Sequence, residues 1–235
     1  MDKKLLVFDL EQMPYGDALT LQRYFLGRRQ QNLIEDTLLL VQHPAVLTLG
    51  TRGDYANIYL PKEKLAEQGV AIYEVERGGD VTYHGPGQIV GYPIIALQDF
   101  PGSIRGYITA IATALIELLR DEFGIVAEQR FDKYSGVWVG ENKIVAIGVA
   151  VKRGVTMHGF AFNVNTNLAH FDWINPCGLS KGVTSVERET GQPADLARVK
   201  DLVVQYLCRQ FDRQPDARPL DERIIQLAKS TEVTP

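Results

Sequence analysis

Apolar residues recur at helical spacing in three stretches of the chain. One begins near Asp17, and another occupies residues 196–207. The middle stretch follows Ser103, a residue type common at helix N-caps, and carries an apolar residue at every third or fourth position up to Gly124. The pattern therefore predicts three amphipathic helices, the middle one bounded by Ser103 and Gly124.

Between these stretches lie runs rich in β-branched and aromatic residues, which are typical of β-strands. The runs are residues 37–41, 45–49, 70–76, 88–95, 136–139, 143–151 and 156–164. The last three follow one another through short polar links, so we expect them to pair as an antiparallel meander. Helices and strands do not alternate regularly, which predicts an α+β fold with mixed or antiparallel sheets and flanking helices.

Two weaker signals lie toward the end of the chain. Thr184 and Glu187 form a capping-box pattern, which predicts a short helical turn that begins at Thr184. After about Phe211 the chain becomes polar, and it ends in a short amphipathic segment that would form either an extra helix or a loose end. We therefore expect one domain over residues 1–235, with residues 212–235 as a C-terminal extension.

Composition narrows the possible functions. The chain has 25 Lys and Arg against 29 Asp and Glu, a net charge of −4, which argues against nucleic acid as the main partner. Two cysteines are too few for a disulfide framework, so we expect a cytoplasmic protein. The apolar stretches are too short for a signal-peptide core or a bilayer span, so no membrane association is expected.

A glycine-rich run occupies residues 77–88. Its four glycines allow the backbone to approach a ligand closely and to offer amide donors. The spacing matches neither a phosphate-binding loop nor a dinucleotide fingerprint, and the run leads into a strand instead of a helix. The alternative interpretation is a tight hairpin without a ligand.

Lys143 stands at the start of an apolar strand. Strict alternation places it on the same face as Val145, Ile147 and Val149. It is either a lysine that extends its amine into water or a desolvated amine that loses its charge and accepts a proton from a thiol.

Cys177 lies between Pro176 and Gly178, in a turn that could present its side chain instead of burying it. Many free cysteines are merely small buried apolar residues, and Cys208, inside a predicted helix, is interpreted in that way. As a thiolate, however, Cys177 would be a strong nucleophile suited to acyl transfer.

Other catalytic constellations find no support in the sequence. The four histidines show no metal-ligand spacing, and neither cysteine has a partner at such spacing, so no metal is expected. The chain also lacks the Gly-x-Ser-x-Gly motif of serine hydrolases.

Taken together, residues 77–88, 143–149, 156–164, 176–178 and 183–185 closely resemble the lipoyl(octanoyl) transferase family, the octanoyl-carrier-protein:protein octanoyltransferases of lipoate biosynthesis. The resemblance implies the α+β fold of the biotin and lipoate protein ligases. It also implies that Cys177 carries the octanoyl group as a thioester and that Lys143 favours the thiolate and moves protons. No cofactor is implied.

The resemblance further implies a set of substrate-binding residues from three segments. They are Arg77, Gly78, Gly79, Asp80, Val81, Thr82, Tyr83, His84, Ala146, Ile147, Gly148, Gly159, Phe160 and Ala161. Two positions depart from the family pattern, since Asp80 stands where glutamine is common and Asn167 stands where an acid is expected. Neither departure touches the proposed reacting groups.

The partners implied are octanoyl-acyl carrier protein as donor and, as acceptors, the lipoyl domains of 2-oxoacid dehydrogenases and the glycine cleavage H protein. Two alternatives stay open at the level of sequence. One is an ATP-dependent lipoate or biotin protein ligase on the same scaffold, and the other is a non-catalytic module that binds carrier proteins or lipoyl domains.

Overall fold

The computed structural model describes residues 3–100, 103–131, 135–175 and 182–231, without the side chain of Asp99. Within these ranges it contains twelve β-strands and six α-helices. In chain order they are β1 (Lys4–Gln12), α1 (Tyr15–Gln30), β2 (Asp36–Gln42), β3 (Val46–Leu49), α2 (Lys62–Glu67), β4 (Ala71–Glu74), β5 (Val81–His84), β6 (Gln88–Ile94), α3 (Ile104–Phe123), β7 (Glu128–Arg130), β8 (Gly136–Val139), β9 (Asn142–Lys152), β10 (Val155–Asn163), β11 (Gly182–Val183), α4 (Val186–Thr190), α5 (Leu196–Phe211), β12 (Gln214–Ala217) and α6 (Glu222–Thr231).

A large mixed sheet forms the centre of the fold. Its strands follow the order β12-β1-β2-β6-β10-β9-β8-β7, and β11 pairs in parallel with β9. The β12-β1-β2 pairs are parallel, whereas every pair from β2 to β7 is antiparallel. A small sheet of order β4-β3-β5 lies beside it. The predicted meander of β8, β9 and β10 is confirmed.

Helices cover both faces of the large sheet. On one face α3 and α5 pack together over a core that includes Ile111, Leu115 and Phe162. On the other face α1 packs over β6 and β10, and α6 packs against α1. None of the helices among the described residues is long and apolar enough to cross a membrane.

The helix predicted between Ser103 and Gly124 is confirmed. The Ser103 hydroxyl accepts a hydrogen bond from the Gly106 amide, and Gly124 ends the helix in the left-handed conformation that a residue without Cβ adopts at low cost. The short turn near Thr184 is also present as α4, but the prediction of its first residue is wrong. Ser185 caps the helix, because its hydroxyl accepts from the Arg188 amide.

All seven predicted strands are present, with ends that differ by at most two residues, but β1, β5, β7, β11 and β12 are absent from the prediction. Four of the missed strands have only two to four residues, whereas β1 has nine residues and an apolar run from Leu5 to Phe8 that the prediction did not assign to a strand. The segment Gln214–Ala217, for example, is largely exposed and pairs only with β1 at the sheet edge. Since such an edge strand needs little apolar surface, its sequence carries no strand pattern.

The predicted alternation along β9 is wrong at the Lys143 end. Val137 pairs with Val145 and Trp138 pairs with Lys143, so Ile144 is an extra residue on β9. Ile144 and Val145, although adjacent, both belong to the core beneath α3 and α5. A β-bulge of this kind resets which face each side chain occupies, so the face of Lys143 cannot be counted from Val145.

Candidate active site

The glycine-rich run forms a loop fixed between β9 and the segment after β3. The Gly78 amide donates to the Val149 carbonyl at 3.0 Å, and the amides of Thr51 and Arg52 donate to the carbonyls of Arg77 and Gly79. Gly79 has a φ of 98°, which a residue with a side chain rarely adopts. The loop is therefore held by backbone hydrogen bonds on two sides, and it leads into β5 of the small sheet, after which the chain passes to β6 of the large sheet.

Two side chains within the run brace the loop from inside. The Arg77 guanidinium donates to the Thr48 carbonyl at 2.7 Å and to the Thr48 hydroxyl at 2.9 Å. The Asp80 carboxylate accepts from the Val81 amide at 2.7 Å and from Asn57 Nδ2 at 2.7 Å. Asp80, one of the two departures from the family pattern, thus anchors the loop to the chain around Asn57.

A buried chain of hydrogen bonds links this loop to the segment that follows residue 181. His84 Nδ1 donates to Gln88 Oε1 at 2.8 Å, Gln88 Nε2 donates to Asn163 Oδ1 at 2.9 Å, and Asn163 Nδ2 donates to the Thr184 carbonyl at 3.0 Å. Burial lowers the pKa of His84 well below its ordinary value, so the ring is neutral at pH 7. The chain holds β5, β6, β10 and the start of α4 in one arrangement.

A cavity of about 400 Å³ opens between the loop and the strands β9 and β10. Lys143 lines it together with thirteen of the fourteen predicted substrate-binding residues, namely Arg77, Gly78, Gly79, Asp80, Val81, Thr82, His84, Ala146, Ile147, Gly148, Gly159, Phe160 and Ala161. Tyr83 is the exception. Its side chain packs in the core of the small sheet, and its hydroxyl is hydrogen-bonded to His170 Nδ1 at 2.7 Å.

Small residues form a slot along the middle of this cavity. On the paired strands β9 and β10, Ala146 lies opposite Ala161, and Gly148 lies opposite Gly159. A Cβ atom on Gly148 would lie 2.7 Å from the Gly78 carbonyl oxygen, so only glycine lets the loop pack this closely on β9. The two glycines therefore let neighbouring backbone pack closely, and backbone and small side chains at these four positions form this wall of the slot.

Lys143 is half-buried at the beginning of β9. Its Nζ lies 5.0 Å from the centre of the Trp138 ring, and Arg130 packs on the same ring at 4.8 Å. An indole face attracts cations, so this contact stabilises the charged form of the amine. Trp138 was not among the sequence-predicted site residues, because an aromatic residue in a short strand gives no signal beyond packing.

The predicted nucleophile Cys177 lies outside the described residues. The chain on either side of it is described. Before it, the Asn175 amide donates to the Asn57 carbonyl at 2.8 Å, and after it β11 pairs with β9, where Val183 lies opposite Lys143. The other cysteine, Cys208, is buried in α5, and burial raises its pKa to about 11.

His158 is a cavity residue that the sequence analysis did not single out. It lies in β10 with a φ of 56°, its side chain is buried, and it lines the cavity beside Gly159. The Glu76 carboxylate is 3.8 Å from its Nε2. The only available signal was a polar residue inside a strongly apolar strand. Among the described residues no cluster of His, Cys, Asp or Glu could hold a metal ion.

The architecture is that of the lipoate protein ligases. The crystal structure of lipoate-protein ligase A bound with ATP matches with a TM-score of 0.80 at 16% sequence identity, covering 98% of this chain and 94% of that chain. The model of the lipoyl protein ligase A/B catalytic domain matches residues 14–208. The predicted fold class is therefore confirmed.

Curated relatives narrow this class to one group. The octanoyltransferase of Desulforamulus reducens is 55% identical over 214 residues, 91% of this chain and 93% of the relative. The octanoyltransferase of Caldicellulosiruptor saccharolyticus is 53% identical over 209 residues, 88% of this chain and 89% of the relative. The chain belongs to the octanoyltransferase family, as its motifs predicted.

Proposed function

We propose that this chain transfers an octanoyl group from octanoyl-acyl carrier protein to a lysine of lipoyl domains in lipoate biosynthesis, through a thioester on Cys177. The observation that carries the proposal is the position of Lys143 in β9, where it lines a cavity with the glycine-rich loop and lies opposite Val183 of β11. Val183 follows Cys177 by six residues, a stretch of chain that spans at most about 20 Å. This short connection supports the proposed pairing of Cys177 with Lys143.

In the first step the Cys177 thiolate attacks the carbonyl carbon of the donor thioester. The carrier thiolate leaves with the bonding electron pair and takes the proton that the Lys143 ammonium supplies. Contact with Trp138 favours this charged ammonium, and a cation beside a thiol favours the thiolate. Lys143 therefore acts first as a cation that activates the sulfur and then as an acid.

In the second step the amine of a lipoyl-domain lysine attacks the acyl-enzyme. The neutral Lys143 amine left by the first step accepts a proton from the attacking nitrogen, an amide bond forms, and the Cys177 thiolate leaves. In each step the octanoyl group passes directly from one sulfur to the next acceptor atom, so no free carboxylate has to be activated. No ATP is consumed, in contrast to an adenylate-forming ligase.

The slot beside Ala146, Gly148, Gly159 and Ala161 provides room for an unbranched alkyl chain. Ile147, Val149 and Phe160 add apolar surface to the same cavity. Burial of each methylene contributes about 0.8 kcal/mol, which is enough to hold an eight-carbon chain without a polar contact along its length.

The acceptors we propose are the lipoyl domains of 2-oxoacid dehydrogenases and the glycine cleavage H protein, and neither nucleic acid nor a membrane is required. A reducing, cytoplasmic location suits the proposal, because the nucleophile must remain a free thiol.

Intact-mass analysis tests the proposal directly. Incubation with octanoyl-acyl carrier protein alone, without ATP, is expected to add one octanoyl group to the protein, and later addition of a lipoyl domain is expected to remove it. Cys177→Ala is expected to abolish both the adduct and the modification of the lipoyl domain.

Cys208→Ala is the matched control, because it removes the buried cysteine of α5 and is expected to leave the adduct and the transfer in place. Full transfer by Cys177→Ala would refute the thioester mechanism. Modification of the lipoyl domain only with free octanoate and ATP would identify a ligase instead. Binding of a lipoyl domain without any transfer would indicate a non-catalytic module.

A further inference from the structure

His158 combines three unusual properties at one end of the cavity. It is a non-glycine residue in the left-handed conformation within a strand, its side chain is only 2% exposed, and neither ring nitrogen has a hydrogen-bond partner among the described residues. Such backbone strain and such unpaired buried polar atoms are uncommon in folded proteins and call for an explanation. Burial lowers the pKa of His158, so the ring is neutral at pH 7.

Contacts with β6 and α1, which pack against β10, explain the backbone conformation of His158. Pro93 in β6 has no amide hydrogen, and its carbonyl accepts from the hydroxyls of Tyr107 and Thr156. The His158 amide instead turns to donate to Gln22 Oε1 of α1 at 2.9 Å. The neighbouring Gly159 fits against β6 only because it has no Cβ, since a Cβ there would lie 2.2 Å from the Gly91 carbonyl oxygen. His158 is therefore held in place by both its own amide and the next residue.

Polar groups back the imidazole on the side away from the cavity. The Glu76 carboxylate lies 3.8 Å from Nε2, and Lys152 of β9 and Arg23 of α1 both pair with this carboxylate. His158 and Lys152 hold the pKa of Glu76 well below its ordinary value, so the carboxylate is charged. This ion-paired group cannot yield space to an entering alkyl chain without the exposure of charge to apolar atoms.

Lys143 and His158 lie at different positions along the β9–β10 pair, and this separation can be compared with the length of an acyl chain. His158 lies opposite Val149, which is six residues along β9 from Lys143 and three residues beyond Ala146. Three residues of strand cover roughly 10 Å. An extended eight-carbon chain built from bonds of about 1.5 Å has a similar length, roughly 9 Å. A chain whose carbonyl lies beside Ala146, on the side toward Lys143, would thus bring its methyl end to His158.

We propose that His158 is the end wall of the acyl slot and sets the upper limit of acyl-chain length. The inference rests on the proposed function, since the reacting end of the substrate is assumed to lie at Lys143. A chain longer than the slot would press its methyl end against this fixed imidazole and the ion-paired Glu76 carboxylate behind it, and displacing these polar groups would cost more than the burial of further methylenes contributes. The slot therefore ends at a polar surface that discriminates against extra carbons.

Steady-state transfer from hexanoyl-, octanoyl-, decanoyl- and dodecanoyl-acyl carrier protein to a lipoyl domain tests this proposal. His158→Gly removes the wall and suits the left-handed backbone, because glycine adopts that conformation without strain. The ratio of kcat/KM for dodecanoyl over octanoyl donor is expected to rise at least tenfold relative to the unchanged protein. His158→Asn, which also tolerates this backbone but is shorter, is expected to raise the same ratio to a smaller extent.

Asp212→Gly is the matched control for backbone strain. Asp212 also has a positive φ, 53°, but it lies at the end of α5 and does not line the cavity. Its chain-length ratio is expected to stay within twofold of the original value. Thermal unfolding of each variant confirms that folded protein is compared.

A dodecanoyl-to-octanoyl ratio that stays within twofold in folded His158→Gly or His158→Asn, with all four donors slowed by one common factor, would overturn the proposal and leave His158 a structural residue. Failure of the unchanged protein to transfer octanoyl at all would instead contradict the proposed function. The two failures are distinguishable, because the first concerns a ratio among variants and the second the absolute activity of the original chain.

Discussion

The amine of Lys143 contacts an aromatic face, and Lys143 lines the cavity beside the glycine-rich loop. The 5.0 Å approach to the Trp138 ring stabilises the ammonium, so the structure favours a cation over the desolvated neutral amine that the sequence left as one of two options. In the proposed mechanism, a positive charge on Lys143 beside the Cys177 sulfur would favour the thiolate before the first step. By the same proposal, the lysine would become a base only after it has given up its proton in the first half-reaction.

Lys143→Met is expected to weaken the nucleophile without removal of the slot. Alkylation of Cys177 by iodoacetamide, followed as a function of pH, is expected to shift its midpoint upward toward about 8.5, the ordinary value for a free thiol. The reason is that the variant keeps a similar side-chain length and loses only the charge.

Lys64→Met serves as the matched control, because Lys64 is an exposed lysine of α2 and does not line the cavity. Its alkylation profile is expected to match that of the original chain. An unchanged midpoint in Lys143→Met would remove the activating role of this lysine.

At the scale of single residues, what the sequence could predict depends on whether the signal is local. The glycine-rich run and Lys143 stand in contiguous motifs, so the sequence alone was enough to recognise their positions along the chain. His158 differs, because its conformation depends on Pro93 and Gln22, which lie 65 and 136 residues away in sequence. Nothing near His158 in the chain indicates that its amide leaves the strand.

Among the elements, the packing of the glycine-rich loop on β9 determines the width of the slot. The loop and strand share the hydrogen bond from the Gly78 amide to the Val149 carbonyl, and Gly148 faces the Gly78 carbonyl directly. A side chain at position 148 would force these two backbones apart. The position of the loop thus depends on the absence of a side chain at Gly148.

Gly148→Ala is expected to lower the free energy of unfolding by about 1–3 kcal/mol, a typical cost for overpacking. It is also expected to reduce kcat/KM for octanoyl transfer at least tenfold, because the displaced loop lines the acyl slot. Urea denaturation measures the first effect, and transfer kinetics measure the second.

Gly27→Ala in α1 is the matched control. Its added Cβ would have no neighbour within 4 Å, so the same substitution is expected to stabilise the helix by about 0.5–1 kcal/mol without an effect on transfer. A Gly148→Ala variant with the stability and kinetics of the original chain would show that the loop can move freely.

Elements with strong local signals were predicted well, and those defined by a partner were not. The helix between Ser103 and Gly124 carries its cap residues and its apolar face in one stretch of chain, so its ends follow from the sequence. The bulge at Ile144 is different, because it exists only in the pairing with β8. Alternation within a single strand cannot reveal an extra residue that its neighbour lacks.

Over the whole molecule, a buried carboxylate ties the C-terminal part of the chain to the rest of the sheet. Asp36 at the start of β2 accepts from Arg29 Nε at 2.9 Å and from the Ala96 amide at 3.0 Å. It also accepts from Arg213 Nη2 at 3.0 Å, just before β12. These contacts span residues 29–213, so no local pattern in the sequence indicates them, and they explain how a polar edge strand such as β12 is held against β1.

Asp36→Asn tests how much this junction contributes to the stability of the whole protein. The substitution keeps the volume but removes the charge, which leaves the buried guanidinium groups of Arg29 and Arg213 without their shared carboxylate. Removal of one partner from a buried ionic group typically costs about 3–5 kcal/mol, so the urea midpoint is expected to fall by a corresponding amount.

Asp121→Asn, on the exposed Asp121–Arg120 pair, is expected to cause a far smaller change. Because Asp36 does not line the cavity, octanoyl transfer per folded molecule is expected to stay the same. Equal unfolding midpoints for Asp36→Asn and Asp121→Asn would show that the C-terminal strand is held by its backbone pairing with β1 alone.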